Sequence, residues 1–283
     1  MKKININENH ENKETKNYRA QKFFCKNQFF LNKIKLSNIF IYLNFIIIYS
    51  IIANNYNKSL NYPNKTNQFF NKNTFSQYSI FQKLSDSIIK KYSRSSVIWP
   101  LPREIKFRPL MTQKEIIALS YFMRPDNIYF EFGSGGSTNL ASFYKVKTYS
   151  VESDHKWHDK LKKAGIKANY LTIDLKVTHT GLPGKETNLN DWKKYIQAYK
   201  SEYNANIILI DGRFRVACAL DVFSKIKNDT LILLHDYERK EYHILEQFYI
   251  KVKMWDSLVL LLKNPNINKI PSEIYNFYLT EKL

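Results

Sequence analysis

The sequence predicts an α/β domain: a doubly wound, mostly parallel sheet finished by an antiparallel C-terminal hairpin. Three observations carry the prediction. From about residue 106 onward, short apolar runs alternate with helical stretches, the pattern of strands buried on both faces and covered by helices. Several of those runs end in an acid or a glycine-rich turn, where an open parallel sheet binds its ligands. The last two runs are separated by only Trp255-Asp256-Ser257, too few residues for a parallel crossover and suited to a hairpin. The arrangement is Rossmann-like.

Taken in order, residues 1–35 are polar, rich in Lys and Asn and without a sustained apolar period, so they are expected to be disordered. Residues 36–53, LSNIFIYLNFIIIYSIIA, form an uncharged apolar run of 18 residues, at the lower limit for a helix that spans a bilayer. Nine basic and three acidic residues precede it and the next basic residue is Lys58. That asymmetry predicts a single-pass membrane anchor with a cytoplasmic N-terminus and the folded domain on the far, lumenal or extracytoplasmic side. Cleavage after Ala53, giving a secreted domain, is the alternative, although the preceding region is long for a signal peptide. The lack of a polar face argues against a buried helix of the soluble domain. Residues 54–105 read as a stalk or linker with a short helix near Ser79–Lys91 and the proline-marked segment Trp99-Pro100-Leu101-Pro102.

Residues 106–283 form the predicted domain. Thr112 and Glu115 make a capping box ahead of IIALSYFM, a helix that ends at Arg124-Pro125. Strands are predicted at Ile128–Phe132, Lys147–Glu152, Ala168–Ile173, Ile207–Ile210 and Leu231–Leu234, followed by the hairpin strands Phe248–Met254 and Leu258–Lys263. Helices are predicted at Thr138–Tyr144, His155–Ala164, Asp191–Tyr203 and Phe214–Ile226.

The formal charge of +19 is lopsided: residues 1–105 hold 17 Lys and Arg against 5 Asp and Glu, which leaves +7 for the rest. A mildly basic domain in an Asn-, Lys- and Ile-rich chain gives no reason to expect a nucleic-acid partner. Cys25 and Cys218 make neither a disulfide pattern nor a zinc pattern, and Cys218 falls in VACALDVF, a buried helix face.

The chemistry gathers at the strand ends. The first strand runs into Gly133-Ser134-Gly135-Gly136-Ser137, where glycines let the backbone turn sharply and approach a ligand. Glu131 is out of place in an apolar strand and needs a cation or donors, supplied by an amino-acid ammonium group or by the loop's own amides. Glu152, 21 residues beyond Glu131, ends the second strand and can accept the hydroxyl protons of a ribose. Glycine-rich turn and acid together indicate a nucleotide-type ligand. The acid ahead of the turn, and GSGGST in place of GxGxxG, favour S-adenosylmethionine over NAD. Asp174 is placed beside the adenine amino group or in a solvated loop. At the fourth strand end, Asp211 faces the methyl donor or the acceptor, and Arg213 or Arg215 can fork onto an anionic acceptor group. At the fifth, His235 is the candidate general base, oriented by Asp236. A competing arrangement has Asp211 and Asp236 holding a divalent cation such as magnesium, but His235 has no place in an all-oxygen site.

With these residues named, residues 108–263 resemble the class I S-adenosylmethionine-dependent methyltransferases. More narrowly they are similar to a group with an MTxxE helix, an E(F/W/Y)GSGGST turn, an SVE strand end and a DGRxRVAC segment. This chain has MTQKE at 111–115, EFGSGGST at 131–138, SVES at 150–153 and DGRFRVAC at 211–218. The resemblance implies that Glu131, Gly133, Gly135 and Glu152 contact the cofactor, and leaves the acceptor open. The expected activity is methyl transfer to an oxygen, less readily a nitrogen, of an acceptor such as a glycan or hydroxylated small molecule. A non-catalytic scaffold that keeps the cofactor fold at a membrane and an NAD-linked oxidoreductase are the competing functions.

Overall fold

The structure is a computed structural model that describes residues 72–179 and 181–281. The expected disordered tail at 1–35 and anchor at 36–53 lie outside the described residues. Among the described residues, no helix is long and apolar enough to cross a membrane.

Helix α1, Lys72–Tyr92, begins earlier than the sequence suggests and leads to α2, Gln113–Tyr121. Thr112 caps α2 in the predicted box: its hydroxyl accepts from the Glu115 N–H, and the Glu115 carboxylate accepts from the Thr112 N–H. The alternation then runs β1 (Ile128–Phe132), α3 (Gly136–Phe143), β2 (Lys147–Glu152), α4 (His155–Lys163), β3 (Asn169–Thr172), α5 (Leu189–Ile196), β4 (Ile207–Ile210), α6 (Arg215–Val222) and β5 (Leu231–Leu234). A 3-10 segment at Lys240–Gln247, the strands β6 (Tyr249–Trp255) and β7 (Leu258–Lys263), and α7 (Ser272–Tyr278) complete it.

The seven strands lie in the order β3-β2-β1-β4-β5-β7-β6. The first five are parallel, and β7 runs antiparallel to both β5 and β6. The doubly wound sheet and its edge hairpin are therefore present as predicted. Alternate residues of each strand enter opposite cores, as the two-residue period requires. Phe130, Phe132, Ile208, Ile210, Ile232 and Leu234 pack with α5 and α6 on one face. Tyr129, Ile207, Leu209, Leu231 and Leu233 pack with α2 and α3 on the other. Every residue of β4 and β5 is buried, which explains why these strands read as unbroken apolar runs.

The predicted helices shift their bounds, and α6 stops at Val222, short of the expected Ile226. The stretch 191–203 divides into α5 and a 3-10 turn at Ser201–Tyr203, after which Asn204, at φ +53°, turns the chain into β4. Helix α3 starts at Gly136, inside the turn. A side chain there is impossible, because a Cβ would lie 2.2 Å from the backbone of Arg108 and Pro109, which crosses directly over the helix start.

Candidate active site

Strand order reverses between β1 and β4, so the crevice at their carboxyl ends is the expected ligand position. A cavity of about 790 Å³ opens there, large enough for a nucleotide-sized molecule. Its walls are the turn Gly133–Ser137, Glu152 to Asp154, Trp157, the β4 end from Asp211 to Arg213, His235 and Asp236, and the strap from Lys106 to Leu110.

The turn is held from beneath by Glu131. That carboxylate is fully buried and accepts hydrogen bonds from the hydroxyls of Tyr129 (2.8 Å), Ser137 (2.6 Å), Ser150 (2.8 Å) and Thr138. Burial pushes its pKa up to about 7, against the pull of those hydroxyls. Glu131 does not line the cavity, which corrects its expected contact with the cofactor. Four local hydroxyls supply the donors that were assigned to a ligand ammonium or to loop amides. Thr138 extends the support by accepting from the Gly135 N–H at 2.7 Å. Gly133, at φ +94°, meets the β4 end so closely that a Cβ would stand 2.8 Å from Gly212 Cα; the two turns fit only as glycines.

Glu152 does face the cavity. One of its oxygens accepts from the amides of Ser153 and Asp154 (2.7 and 3.0 Å), and the other from the Ser134 amide at 2.9 Å. Burial raises its pKa, although these amides oppose the rise. The first oxygen also accepts from the Ser153 hydroxyl at 3.3 Å, whereas the second accepts only from the Ser134 amide, so a lone pair remains on it for a ligand hydroxyl. Asp174 is not a wall residue. It pairs with Lys176 and accepts from that residue's amide at 2.9 Å. Trp157 lines the cavity and donates its indole N–H to the Ser134 carbonyl at 2.8 Å.

The β4 and β5 ends form one charge network. Arg215 reaches Asp211 at 3.2 Å and Asp236 at 3.0 Å, and donates to the carbonyls of Gly212 and His235. His235 Nδ1 is hydrogen-bonded to Asp211 at 3.0 Å and stands 3.4 Å from Asp236. Asp211 thus takes the orienting place that the sequence assigned to Asp236, which instead pairs with Arg215 and Arg239. On the other side of the ring, Nε2 is 3.5 Å from Glu115, which is buried. Burial alone would lower the His235 pKa, but the hydrogen bond and charge of Asp211, with Asp236 and Glu115, raise it above its ordinary value. A free ring nitrogen facing the acceptor, as the base assignment to His235 supposes, is absent: both nitrogens face carboxylates. The magnesium arrangement also meets an obstacle, since Arg215 and His235 already engage Asp211 and Asp236. Among the described residues, no group of three or more His, Cys, Asp or Glu side chains is placed to hold a metal ion.

Sequence reasoning missed Glu115 as part of this network. Its capping role was legible, but one of its oxygens also accepts from the amide and hydroxyl of Ser257, both at 2.7 Å, a link across the chain that no local pattern reveals. The strap was missed as well; its only signal was the prolines around it. Cys218 is buried, with Sγ 3.4 Å from the Arg213 carbonyl, in the core role expected of it.

A parallel sheet with its cleft at the β1/β4 reversal defines a nucleotide-type α/β domain, and the comparison with solved structures makes it more specific. A methyltransferase-like protein of Silicibacter pomeroyi is 25% identical, with 62% of this chain and 98% of that one covered and a TM-score of 0.56. An SAH-bound methyltransferase of Podospora anserina (12% identical, 71% and 100% covered, TM-score 0.37) and a TehB-like SAM-dependent methyltransferase of Corynebacterium glutamicum (10%, 50% and 82%, 0.34) are more distant likenesses. No family model matches the chain, and no curated protein matches it. The domain has the fold of the class I S-adenosylmethionine-dependent methyltransferases.

Proposed function

We propose that the protein binds S-adenosylmethionine and transfers its methyl group to an oxygen, less readily a nitrogen, of a hydroxylated acceptor such as a glycan or small molecule. The observation that carries this reading is a single cavity with two chemically different walls: the glycine turn with Glu152 on one side, and Asp211, Arg213 and His235 on the other. The cofactor fits the first wall. Gly135 leaves the backbone open, since a Cβ there would meet nothing nearer than Trp157 Nε1 at 4.0 Å. Glu152 keeps an acceptor position for a ribose hydroxyl, and α3 begins at the turn, so its positive end suits a carboxylate. When bound, S-adenosylmethionine supplies an electrophilic methyl on a sulfonium.

The chain's own residues position the acceptor and handle its proton. Holding the acceptor oxygen in line accounts for most of the acceleration. Asp211 is the more exposed member of the Asp211–His235 pair, with 25% of its side chain accessible against 10%, so it is the group an acceptor hydroxyl meets. His235 stands behind it, so the acceptor proton reaches the unprotonated ring only by way of Asp211, the hydrogen-bond partner of its Nδ1. General-base action by His235 therefore strengthens as pH rises past its raised pKa. The membrane placement proposed with this activity, an anchor at residues 36–53 with the domain on the far side, is supported by the uncharged run and its flanking charges.

The experiment is a transfer assay with radiolabelled S-adenosylmethionine on the full chain, against glycan, lipid, RNA and protein pools. Label in a glycan or small hydroxylated compound is expected. Cofactor binding with no transfer to any pool would favour a scaffold.

A further inference from the structure

Arg213 and Arg215 are two residues apart at the same cleft, yet their environments are opposite. Arg215 takes both acids, Asp211 and Asp236, and two carbonyls besides. Arg213 lines the cavity and forms no ion pair among the described residues. Its Nε is buried and has no hydrogen-bond partner, and a desolvated guanidinium donor left unmatched is costly. The other cations of the wall are engaged: Lys106 with the Ala164 carbonyl, Arg108 over the Trp99 ring, and His235 with Asp211.

Arg213 is also built into place. Its amide donates to the Tyr195 hydroxyl at 3.3 Å, and its carbonyl accepts from Cys218 Sγ. Gly181, at φ +79°, lies against the guanidinium so closely that a Cβ would come within 2.4 Å of Nη2. A planar cation held flat against a glycine, short of counter-charge and open to a cavity, is matched by an oxyanion that accepts from the guanidinium fork.

We infer that Arg213 anchors an oxyanion on the methyl acceptor, so that the acceptor is a hydroxylated compound carrying a carboxylate or phosphate group. The inference rests on the methyl-transfer reading and names its substrate class. Neutral sugars and simple alcohols leave Arg213 unmatched and are poor acceptors.

The test titrates inorganic phosphate, and separately acetate, into the full chain saturated with S-adenosylhomocysteine, following ligand line broadening by NMR. Wild type is expected to bind at least one of the two anions. Arg213→Gln is expected to weaken that binding at least tenfold, and Arg213→Lys to lose less. Gly181→Ala keeps the charge but displaces the guanidinium, and is expected to resemble Arg213→Gln. Thermal unfolding of each variant confirms that it is folded. Equal anion binding by wild type and Arg213→Gln, or no binding of either anion to wild type, overturns the inference, and whichever anion binds identifies the group. A separate titration of wild type with S-adenosylhomocysteine distinguishes failure of this inference from failure of the methyl-transfer reading, since only the latter abolishes cofactor binding.

Discussion

Replacing Glu131 with Gln probes the buried acid beneath the glycine turn without changing its shape. The carboxylate is inaccessible to solvent and surrounded by four hydroxyls. Desolvation and hydrogen bonding compete there, and burial wins: the pKa climbs from 4.5 to about 7. That rise corresponds to about 3 kcal/mol. Because the folded value lies above the unfolded one, this stabilisation is complete below pH 4.5 and is lost as pH rises through 7. Glu131→Gln has no such titration, and the hydroxyls can turn to accept from its amide. Urea unfolding of both proteins at pH 5 and pH 8 measures the difference. Relative to the variant, wild type is expected to lose on the order of 2 to 3 kcal/mol between those two pH values. A difference between the proteins that stays constant from pH 5 to pH 8 would refute the reasoning. It would mean that the four hydroxyls outweigh burial and hold Glu131 ionised.

Two further outcomes follow from the charge network. His235→Asn is expected to lower kcat by roughly a hundredfold or more and to abolish a rise in rate with pH whose midpoint in wild type lies above the ordinary histidine value; a variant with an unchanged pH profile would remove His235 from proton handling. Glu115→Ala takes the acceptor from the Ser257 amide and hydroxyl and from the Thr112 amide. It is expected to destabilise the protein by on the order of 3 kcal/mol and to lower the His235 pKa, read from the ring proton shifts by NMR against pH.

Most of the fold was legible because parallel strands buried on both faces leave a strong mark: β4 and β5 read as IILI and LILL with no polar interruption. The hairpin was legible from its three-residue connection, which allows little else. Strand-end acids pointed to the carboxyl end of the sheet, where the cavity lies, for a general reason of topology. What stayed hidden was how those acids divide their work. Asp211 and Asp236 are equivalent by position, and only the side-chain geometry around His235 separates them. Arg213 and Arg215 were likewise interchangeable in the sequence. Their separation depends on Phe214, which at φ +53° stands at the N-cap just ahead of α6, so that Arg215 opens the helix within reach of both acids while Arg213 remains in the turn. Glu131 showed the opposite difficulty. An acid in an apolar strand was correctly singled out, but its partners, Ser137, Thr138, Ser150 and Tyr129, are local, and their sufficiency is visible only in three dimensions.

The turn at Gly133–Ser137 and the acid Glu152 form the proposed binding site for S-adenosylmethionine. Calorimetric titration of the full chain with S-adenosylhomocysteine tests it most directly, alongside Glu152→Ala as a control. Saturable heat below about 1 mM ligand, weakened at least tenfold in the variant, is the predicted result. No heat at millimolar ligand, or equal affinity in the two proteins, would contradict it.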